Sequence, residues 1–336
     1  MAVTLKDLAK SLNISVSTVN AALYNRSDIS VATRKRVWEK AQEMHYRPNL
    51  LARSLVTRKT HVIGVVVPDL SRSFFTEVIK GIEEAASSAD YNLLICNTNE
   101  NPERERSQLA TLVGKQVDGL LLASAVRPGS TELHEQLSTL GVPCVLLDRF
   151  FAREHFVGGD DVRIGYIATE HLIEQGYHRI AHVRGPYLST SLGRMKGYRK
   201  ALRKHGMTSR ESYIVEAMYH EESSGAMAVS KLLRVSQPPD AIFASSDAIA
   251  IGVLGELLRM GLQVPGEIGV VGVGNHPYGE YLRVALTTVD QNRVDIGRKA
   301  TVLLIDLMGG GYKGEHRIIF IEPRLILRAS SSHKFR

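Results

Sequence analysis

Thiols are scarce in this chain: its 336 residues include two cysteines, Cys96 and Cys144, and both lie in apolar, strand-like stretches. Two such cysteines are typical of buried thiols in a cytosolic protein and do not indicate a disulfide framework or a cysteine metal site. The chain also lacks any apolar run of about 18 residues, so we expect no membrane-spanning helix. Its first residues show no basic segment followed by an apolar one, which predicts a cytoplasmic protein without a secretory signal.

Several signatures of catalysis are missing as well. The sequence contains neither a Gly-x4-Gly-Lys-Ser/Thr phosphate loop nor a Gly-x-Ser-x-Gly nucleophile elbow. His178 and His182 lie in a strand-like run with no acidic or cysteine partner nearby, so we interpret them as strand residues rather than zinc ligands. The glycine-rich runs at 269–274 and 309–311 do not open a helix after the first strand, unlike a dinucleotide fingerprint. We therefore predict no catalytic residue, no cofactor and no metal ligand.

The positive charge of the chain is concentrated at one end. The sequence carries 42 Lys and Arg residues against 35 Asp and Glu residues, a formal net charge of +7. Residues 1–60 contain 11 basic and 4 acidic residues, so they account for the whole excess and the rest of the chain is formally neutral. A basic module on a neutral body is what neutralisation of DNA phosphates requires. The alternative is a solvated basic face without a partner.

Residues 4–55 contain the pattern of several short helices. Thr4 and Asp7 have the spacing of a capping box. Apolar residues at helical spacing follow, and they are Leu5, Leu8, Ala9 and Leu12. Ser15 and Ser30 can cap a second and a third helix, with inward faces formed by Val19, Ala22 and Leu23 and by Val37, Ala41 and Met44. Two short helices joined by a tight turn predict a helix-turn-helix, whose second helix enters the major groove of DNA.

Four segments of this region recur in a characteristic order and spacing. They are Val3-Thr4-Leu5-Lys6-Asp7-Leu8-Ala9, Ile14-Ser15-Val16-Ser17-Thr18-Val19, Ser30-Val31-Ala32-Thr33-Arg34 and Tyr46-Arg47-Pro48-Asn49-Leu50-Leu51-Ala52-Arg53-Ser54-Leu55. Together they resemble the head and hinge of the LacI/GalR family of bacterial transcription regulators. The resemblance extends over nearly the whole chain.

Beyond residue 60, strand-like and helix-like segments alternate. Predicted strands lie at 61–67, 91–96, 117–123, 142–147, 178–183, 213–216, 240–244, 268–273 and 317–321. Predicted helices lie at 74–88, 103–115, 131–140, 163–175, 191–205, 223–235, 247–260 and 293–308. This alternation predicts two doubly wound parallel sheets with a ligand cleft at the carboxyl ends of their strands.

The predicted fold class is α/β, with an N-terminal all-α helix-turn-helix head and a two-lobed core of doubly wound parallel sheets. The resemblance implies that this core is periplasmic-binding-protein-like and that the chain passes between its lobes near Asp160, Gln291 and Ile321. We divide the chain into the head (1–48), the hinge helix and linker (49–60), core lobe 1 (61–160 with 291–320) and core lobe 2 (161–290 with 321–336). No apolar heptads follow Arg328, so a homodimer is expected rather than a coiled-coil tetramer.

Base contacts are expected from the start of the second helix, at Val16, Ser17, Asn20 and Ala21. The family often has Ser-Arg where this chain has Asn20-Ala21, and losing Arg removes the common bidentate contact to guanine. Ala21 can only touch a thymine methyl group, whereas Asn20 can pair with adenine or simply be solvated. We therefore predict an operator that departs from the usual half-site of the family. Phosphate contacts are expected from Lys6, Ser15, Thr18, Asn25 and Arg34, and Thr4 completes the DNA-binding residues of the head.

The hinge is expected to contact DNA as well. The resemblance implies that Leu55 is wedged into the minor groove at the centre of the operator, where it would kink the duplex. It also implies DNA-binding positions at Asn49 and at Ala52, whose small side chain lets two hinge helices approach closely. The alternative is that the hinge leucines are ordinary linker hydrophobes packed on the core.

Effector contacts are expected from loops at strand ends. The candidates are Asp69, Ser71, Phe74, Ser124, Asp160, Ser191, Arg194, Asp247 and Asn275. Contacts are also expected from Asp148-Arg149, after the strand at 142–147. Ser191-Leu192-Gly193-Arg194 matches the Ser-x-x-Arg of the family, and Arg194 would offer its planar fork of donors to hydroxyls or a carboxylate. Asp247 lies at a family ligand position and can also cap the next helix. We expect Phe74 to face the ligand and Phe75 to be core.

One departure from the family bears on the ligand. Many members have an Asp after the strand at 268–273, and in sugar-responsive members it binds hydroxyls, but this chain has Gly274 there. Either the effector is not a simple sugar, or Asp160, Asp161 and Asn275 replace the missing contact, or no small molecule binds.

The function predicted from these observations is that of a sequence-specific DNA-binding transcription regulator, and in particular a repressor. The expected partners are double-stranded operator DNA, a small-molecule effector (a sugar or another metabolite) in the interlobe cleft, and a second copy of the chain. We expect it in the cytoplasm, at the nucleoid. The alternative is a solute-binding or enzymatic protein on the same two-lobed fold, and the missing signal and the DNA-reading pattern argue against transport.

Overall fold

A computed structural model describes residues 3–24, 28–46, 59–218, 221–310 and 314–332 of the chain. The chain divides into two compact units, Met1–Thr60 and His61–Arg336. Each unit has its own hydrophobic core.

The described residues of the first unit form three helices: α1 (Leu5–Leu12), α2 (Val16–Leu23) and α3 (Val31–Glu43). The predicted caps are confirmed, because the side chains of Thr4, Ser15 and Ser30 each accept a hydrogen bond from the backbone N–H three residues on. The three helices enclose a small apolar core, which contains Leu8, Ala9, Leu12, Val19, Ala22, Leu23, Val37 and Ala41. Met44 packs against this core as predicted but remains partly exposed.

The second unit contains two six-stranded sheets. The first has the strand order β11-β5-β4-β3-β1-β2, with all pairings parallel. Its strands are β1 (Val62–Val67), β2 (Asn92–Asn97), β3 (Gly119–Leu122), β4 (Cys144–Leu147), β5 (Phe156–Gly159) and β11 (Ile318–Ile321). Cys96 and Cys144 are free thiols on β2 and β4.

The second sheet has the strand order β12-β10-β9-β8-β6-β7, and only its β10–β12 pairing is antiparallel. Its strands are β6 (Ile180–Arg184), β7 (Ile214–Glu216), β8 (Ala241–Ala244), β9 (Gly269–Val273), β10 (Thr287–Asp290) and β12 (Arg324–Ile326).

Helices cover both faces of each sheet, so the central strands are buried runs of Val, Ile, Leu and Ala. The first sheet carries α4 (Ser73–Ser88) and α11 (Arg293–Met308) on one face, and α5 (Pro102–Gly114) and α6 (Glu132–Thr139) on the other. The second sheet carries α7 (Asp161–Glu174) and α8 (Ser189–Lys204) on one face, and α9 (Glu222–Leu232) and α10 (Asp247–Arg259) on the other.

The sequence patterns miss three strands, β5, β10 and the three-residue edge strand β12. β5 has the sequence Phe-Val-Gly-Gly, in which two of the four residues are glycine. β10 has the sequence Thr-Thr-Val-Asp, in which Val is the single apolar residue. β5 and β10 lead directly into passages between the sheets. The chain leaves the first sheet after Gly159, leaves the second after Asp290 and leaves the first again after Ile321.

Candidate functional site

The second helix of the head begins with a network of hydroxyl groups. The Thr18 backbone N–H donates to the Ser15 Oγ at 3.0 Å, and this Oγ also lies 2.7 Å from the Ser17 Oγ and 2.8 Å from the Thr18 Oγ1. The Ser15 hydroxyl therefore fixes the start of α2. Any phosphate contact from Ser15 or Thr18 would have to share these hydroxyl groups.

Three of the four predicted base-contact residues lie on the surface of α2. Val16 is 40% exposed, and Ser17 and Asn20 are exposed as well. The helix carries no charged residue. It therefore presents one apolar group, one hydroxyl and one carboxamide.

Ala21 corrects the fourth base-contact prediction. Only 7% of this residue is exposed, so its methyl group is covered and is not available to a thymine methyl group. At the position where the resembling family often has an arginine, this helix has a buried alanine.

Basic side chains of the head lie on α1 and α3. Lys6 is exposed on α1, and Arg34 on α3 has a buried Nε without a hydrogen-bond partner among the described residues. Arg36 has an internal role, because its Nη2 donates to the Leu12 carbonyl at 2.7 Å and joins α3 to α1. Thr4 also has one, because its N–H and hydroxyl donate to the Asp7 Oδ2 at 2.9 Å and 2.7 Å.

The remaining DNA-binding candidates are Asn25, Asn49, Ala52 and Leu55. They lie outside the described residues.

A cavity of about 360 Å³ lies between the two sheets of the second unit, at the carboxyl ends of their strands. This size is within the usual range for small-molecule sites. The residues that line it are Ser71, Arg72, Ser73, Phe74, Phe75, Asp148, Thr190, Arg194, Glu222, Ser246, Asp247, Ala248, Ile251, Val273, Gly274, His276, Tyr278, Gln291 and Arg293.

Four of the nine predicted effector residues line this cavity: Ser71, Phe74, Arg194 and Asp247. Phe75 is 2% exposed and belongs to the core of the first sheet, whereas Phe74 is partly buried and packs edge-on against it at 5.1 Å between ring centroids. This division matches the expectation for the two rings, although atoms of Phe75 also reach the cavity wall.

The other five predicted effector residues lie outside the lining and have structural partners. Asp69 accepts from the Ser71 N–H and hydroxyl, and Asp160 caps α7 by accepting from the Arg163 N–H at 2.9 Å. The remaining three are Ser124, whose hydroxyl donates to Glu105, Ser191, whose hydroxyl donates to the Gly185 carbonyl, and Asn275, whose Nδ2 donates to Asp290. None of these five side chains is among the lining residues, and their contact with an effector stays a prediction.

Asp247 is held by two elements distant in sequence. Its Oδ1 accepts from the Thr288 hydroxyl and its Oδ2 from the His276 N–H, both at 2.6 Å. Burial raises the pKa of this carboxyl, and these two hydrogen bonds oppose the shift. The cap of α10 comes instead from Ser246, which accepts from the Ile249 N–H.

Gly274 fits beside this carboxyl. Its φ of +134° is rarely adopted by residues with a side chain, and a Cβ there would lie 3.5 Å from the Asp247 Oδ2. An Asp at position 274 would therefore bring a second carboxylate next to the first, which is unfavourable for both.

Arg194 lines the cavity but is 5% exposed, and its donors are occupied. Its Nε donates to the Asp161 Oδ1 at 2.8 Å, its Nη1 to the Ser245 carbonyl at 2.5 Å and its Nη2 to the Gln291 Oε1 at 2.9 Å. Burial raises the pKa of Asp161 to about 7, although Arg194 opposes the shift.

The first sheet supplies a buried acid that lines the cavity, Asp148, directly after β4. Burial raises the pKa of this carboxyl, and Arg149 and Arg194 oppose the shift. Behind it, Glu100 binds the Arg149 Nη2 at 2.7 Å and the Arg72 Nη1 at 2.8 Å. Burial alone would raise the pKa of Glu100, but the two guanidinium groups hold it below its usual value.

Sequence reasoning missed nine polar residues of the lining: Arg72, Ser73, Thr190, Glu222, Ser246, His276, Tyr278, Gln291 and Arg293. Gln291 and Arg293 follow β10, one of the strands that the patterns did not predict, and Glu222 begins α9. Because the first turns of helices face the carboxyl ends of strands in such folds, the helix starts could have revealed Glu222 and Arg293.

Two further properties bear on the kind of protein. Within the described part of the chain, no group of three or more His, Cys, Asp or Glu side chains is arranged to hold a metal ion. No helix among the described residues is both long and apolar enough to cross a membrane.

Comparison with known proteins covers both units. Residues 4–49 match bacterial regulatory proteins of the lacI family, and residues 169–331 match a periplasmic binding protein-like domain. Catabolite control protein A of Priestia megaterium is 36% identical over 92% of this chain and 93% of that protein. The HTH-type transcriptional repressor CytR of Escherichia coli (strain K12) is 34% identical over 98% of this chain and 96% of that protein.

A solved structure gives the same fold. The lac repressor dimer bound to operator and the anti-inducer ONPF has a TM-score of 0.89, with 22% identity over 98% of this chain and 99% of that chain. This likeness confirms the predicted class, an α/β core with a helix-turn-helix head. Together with the two relatives, which match nearly end to end, it leads to one conclusion: the chain belongs to the LacI family of bacterial regulatory proteins and is a DNA-binding transcription regulator.

Proposed function

We propose that two copies of the chain repress transcription by binding a palindromic operator, one head per half-site, and that a small molecule in the interlobe cavity changes the affinity for that operator. The observation that carries the proposal is the surface of α2, where Val16, Ser17 and Asn20 are exposed on a helix without charges. Its neighbours in the chain, α1 and α3, carry the basic residues that phosphates require. Binding to chromosomal DNA would place the protein in the cytoplasm, at the nucleoid.

The exposed groups of α2 favour a particular kind of half-site. The carboxamide of Asn20 can form two hydrogen bonds with an adenine, and Val16 can contact a thymine methyl group. No arginine or lysine of α2 is available for a guanine. We therefore propose a half-site with A·T pairs at the positions that α2 contacts, with Lys6 and Arg34 on the adjacent phosphates.

The hinge contributes through contacts to the centre of the operator. Asn49, Ala52 and Leu55 are the proposed contact residues, on the strength of the family motif that contains them. An apolar wedge such as Leu55 partly unstacks a base step, so a flexible pyrimidine–purine step is the favoured target.

The cavity is suited to an effector because both lobes contribute to its wall. Ser71, Phe74 and Asp148 come from the first lobe, and Glu222 and Asp247 come from the second. A molecule that contacts both sides would favour one relative arrangement of the lobes. If the two arrangements differ in operator affinity, linkage makes that molecule a regulator. The polar and aromatic lining is compatible with a sugar or another small metabolite.

A surface suited to pairing with a second copy lies at one edge of the first sheet. β2 is the edge strand there, and its neighbouring residues Leu94 and Ile95 are 38% and 42% exposed. Exposed apolar residues on an open strand edge are a liability unless a partner covers them. We propose that the homodimer buries this edge.

Selection of binding sites from a random DNA pool tests the DNA-reading proposal. The purified full chain should enrich a palindrome with a central pyrimidine–purine step. Asn20→Ala should lose the preference for one base at symmetric positions, at a cost of about 1–3 kcal/mol per contact. Lys6→Ala is the matched control, and it should weaken binding to all sequences alike and reduce the dependence on salt.

Two results would contradict the proposal. Salt-sensitive binding without any enriched sequence would show that the head has no sequence reading. An unchanged site preference in Asn20→Ala would remove this residue from the base contacts.

A further inference from the structure

Arg194 connects two segments that join the lobes. We propose that a latch of hydrogen bonds sets the resting arrangement of the two lobes. It consists of Arg194 and its three acceptors, which are Asp161, Gln291 and the Ser245 carbonyl. Arg194 acts in it as a positioning residue. The geometry of the latch stands on its own, and its regulatory meaning rests on the proposed function.

The latch depends first on unusually close packing between α7 and α8. A Cβ on Gly165 would lie 2.0 Å from the Arg194 carbonyl oxygen, and a Cβ on Gly193 would lie 2.6 Å from the Asp161 Cβ. Only glycine permits these approaches. The backbones are therefore in direct contact, and Arg194 on α8 is held beside Asp161, the first residue of α7.

The guanidinium group then reaches both connecting segments at once. Asp161 follows the passage from β5 to α7, and Gln291 lies in the passage from β10 to α11. The two passages lie side by side, because a Cβ on Gly159 would be 3.6 Å from the Gln291 Oε1. The third partner, the Ser245 carbonyl at the end of β8, fixes the guanidinium group to the second sheet.

These bonds should be strong because they are buried. Arg194 is 5% exposed and the Asp161 side chain 11%, so little water competes for the ion pair. Removing the carboxylate would leave the guanidinium charge buried beside a single connecting segment, which is unfavourable. Movement of either connecting segment relative to α8 therefore has to strain or break specific bonds.

The residues of the latch differ in their access to the cavity. Asp161 does not line the cavity, so a ligand cannot contact it without rearrangement. A ligand that competes for Arg194 or Gln291 would loosen the latch, and one that leaves them bound would keep it closed. The latch thus provides a physical route from the cavity to the arrangement of the lobes.

Amide hydrogen exchange of the full chain, without DNA or small molecules, tests the latch directly. In Asp161→Ala, exchange at residues 158–164 should rise by about tenfold or more, because local opening no longer breaks the ion pair. Asp161→Asn keeps an acceptor for the Arg194 Nε and should restore part of the protection. Exchange in β8 should remain as in the unmodified chain, since a general loss of stability is not expected.

Gln291→Ala provides an independent variant that leaves the ion pair intact. It should raise exchange at residues 288–295 and leave residues 158–164 protected. Glu211→Ala is the matched control. It removes an ion pair between Glu211 and the Arg199 Nη2 at 2.6 Å. Arg199 lies on α8, the helix that also carries Arg194, but this pair is on the exposed surface. This variant should change neither segment.

Equal exchange in Asp161→Ala and the unmodified chain would overturn the latch, and so would an equal rise in β8. The regulatory part is tested separately by operator affinity without an effector, which should change by about threefold or more in Asp161→Ala. Faster exchange with unchanged operator affinity would overturn that part alone. A failure of DNA binding in the unmodified chain would instead contradict the proposed function.

Discussion

His182 on β6 is a fully buried residue whose surroundings favour its neutral form. Its ring stacks on Phe243 at 4.5 Å and on Tyr198 at 5.3 Å, and its Nδ1 lies 3.1 Å from the Phe243 carbonyl oxygen. Burial lowers the pKa of His182 to about 3, and burial lowers that of His171, which bonds Ser331, to about 4. Between pH 6.5 and 4 the unfolded chain therefore binds more protons than the folded one, so stability falls as the pH falls.

His182→Phe should make the protein less sensitive to acid. From its pKa of about 3 when folded and about 6.5 when unfolded, His182 alone should remove about 2 kcal/mol of the free energy of unfolding between pH 8 and pH 5. Phenylalanine cannot take up this proton. The free energy of unfolding of the variant should therefore fall by about 2 kcal/mol less between pH 8 and pH 5 than that of the unmodified chain. Chemical denaturation at the two pH values measures the difference.

His178→Phe is the matched control, because His178 lies just before the same strand but is exposed. It should retain the acid sensitivity of the unmodified chain. If His182→Phe and His178→Phe lose the same free energy of unfolding between pH 8 and pH 5, the acid sensitivity does not come from His182.

At the level of single residues, sequence alone located several site residues but not their roles. Asp247 was placed correctly at a strand end, yet its partners Thr288 and His276 lie about 30 to 40 residues away in the chain, and no local pattern reveals them. Arg194 was expected to bind a ligand and lines the cavity, but its Nε, Nη1 and Nη2 each also donate to an acceptor of the protein. Hydrogen bonds between distant segments decide whether a polar side chain faces a cavity, and local spacing does not contain that information.

Elements were predictable where their boundaries have a local cause. The helix starts at Val16 and Val31 follow serine caps, and the apolar run of β1 needs no partner to be recognised as a buried strand. β5 was missed because Gly158 and Gly159 do not favour a strand, and β10 was missed because its four residues are too few to show an alternating or continuous apolar run. Pairing with β4, β9 and the late strands β11 and β12 stabilises them.

Two glycines of α10 predict opposite effects of the same substitution. A Cβ on Gly252 would lie 1.8 Å from the Glu222 carbonyl oxygen of α9, whereas a Cβ on Gly255 would meet nothing within 4 Å. Gly252→Ala should therefore destabilise the protein by about 1–3 kcal/mol, because α9 has to move away. Gly255→Ala should stabilise it by up to about 1 kcal/mol, because alanine restricts the unfolded chain and favours the helix.

Denaturation of the two variants under one set of conditions measures this contrast. The second variant controls for the general effect of alanine on α10. A destabilisation of equal size in both would show that the close contact between α9 and α10 does not limit the residue at 252.

At the scale of the whole molecule, charge and packing divide the chain at the same place. The formal excess of +7 lies within residues 1–60, and the boundary between the two compact units also falls at residue 60. Sequence could predict this division because net charge and helical spacing are local properties. Two sheets could be expected from the alternation of strands and helices, but the full set of six strands in each sheet and their pairing order depend on long-range contacts.

Removal of residues 1–60 should separate DNA binding from folding. Among the described residues of 61–336 there are four hydrophobic cores, two for each sheet, and none of them includes a residue of the first unit. The shortened chain should therefore show the circular dichroism spectrum of a folded α/β protein, without the contribution of the three helices of the head, and a cooperative melting transition. It should remain dimeric in sedimentation if β2 forms the dimer surface, and it should bind no DNA even at low salt, since the basic residues are gone. An unfolded product would contradict the division into units, a monomer would place the dimer contacts in the head or hinge, and retained DNA binding would move the DNA-reading surface to the core.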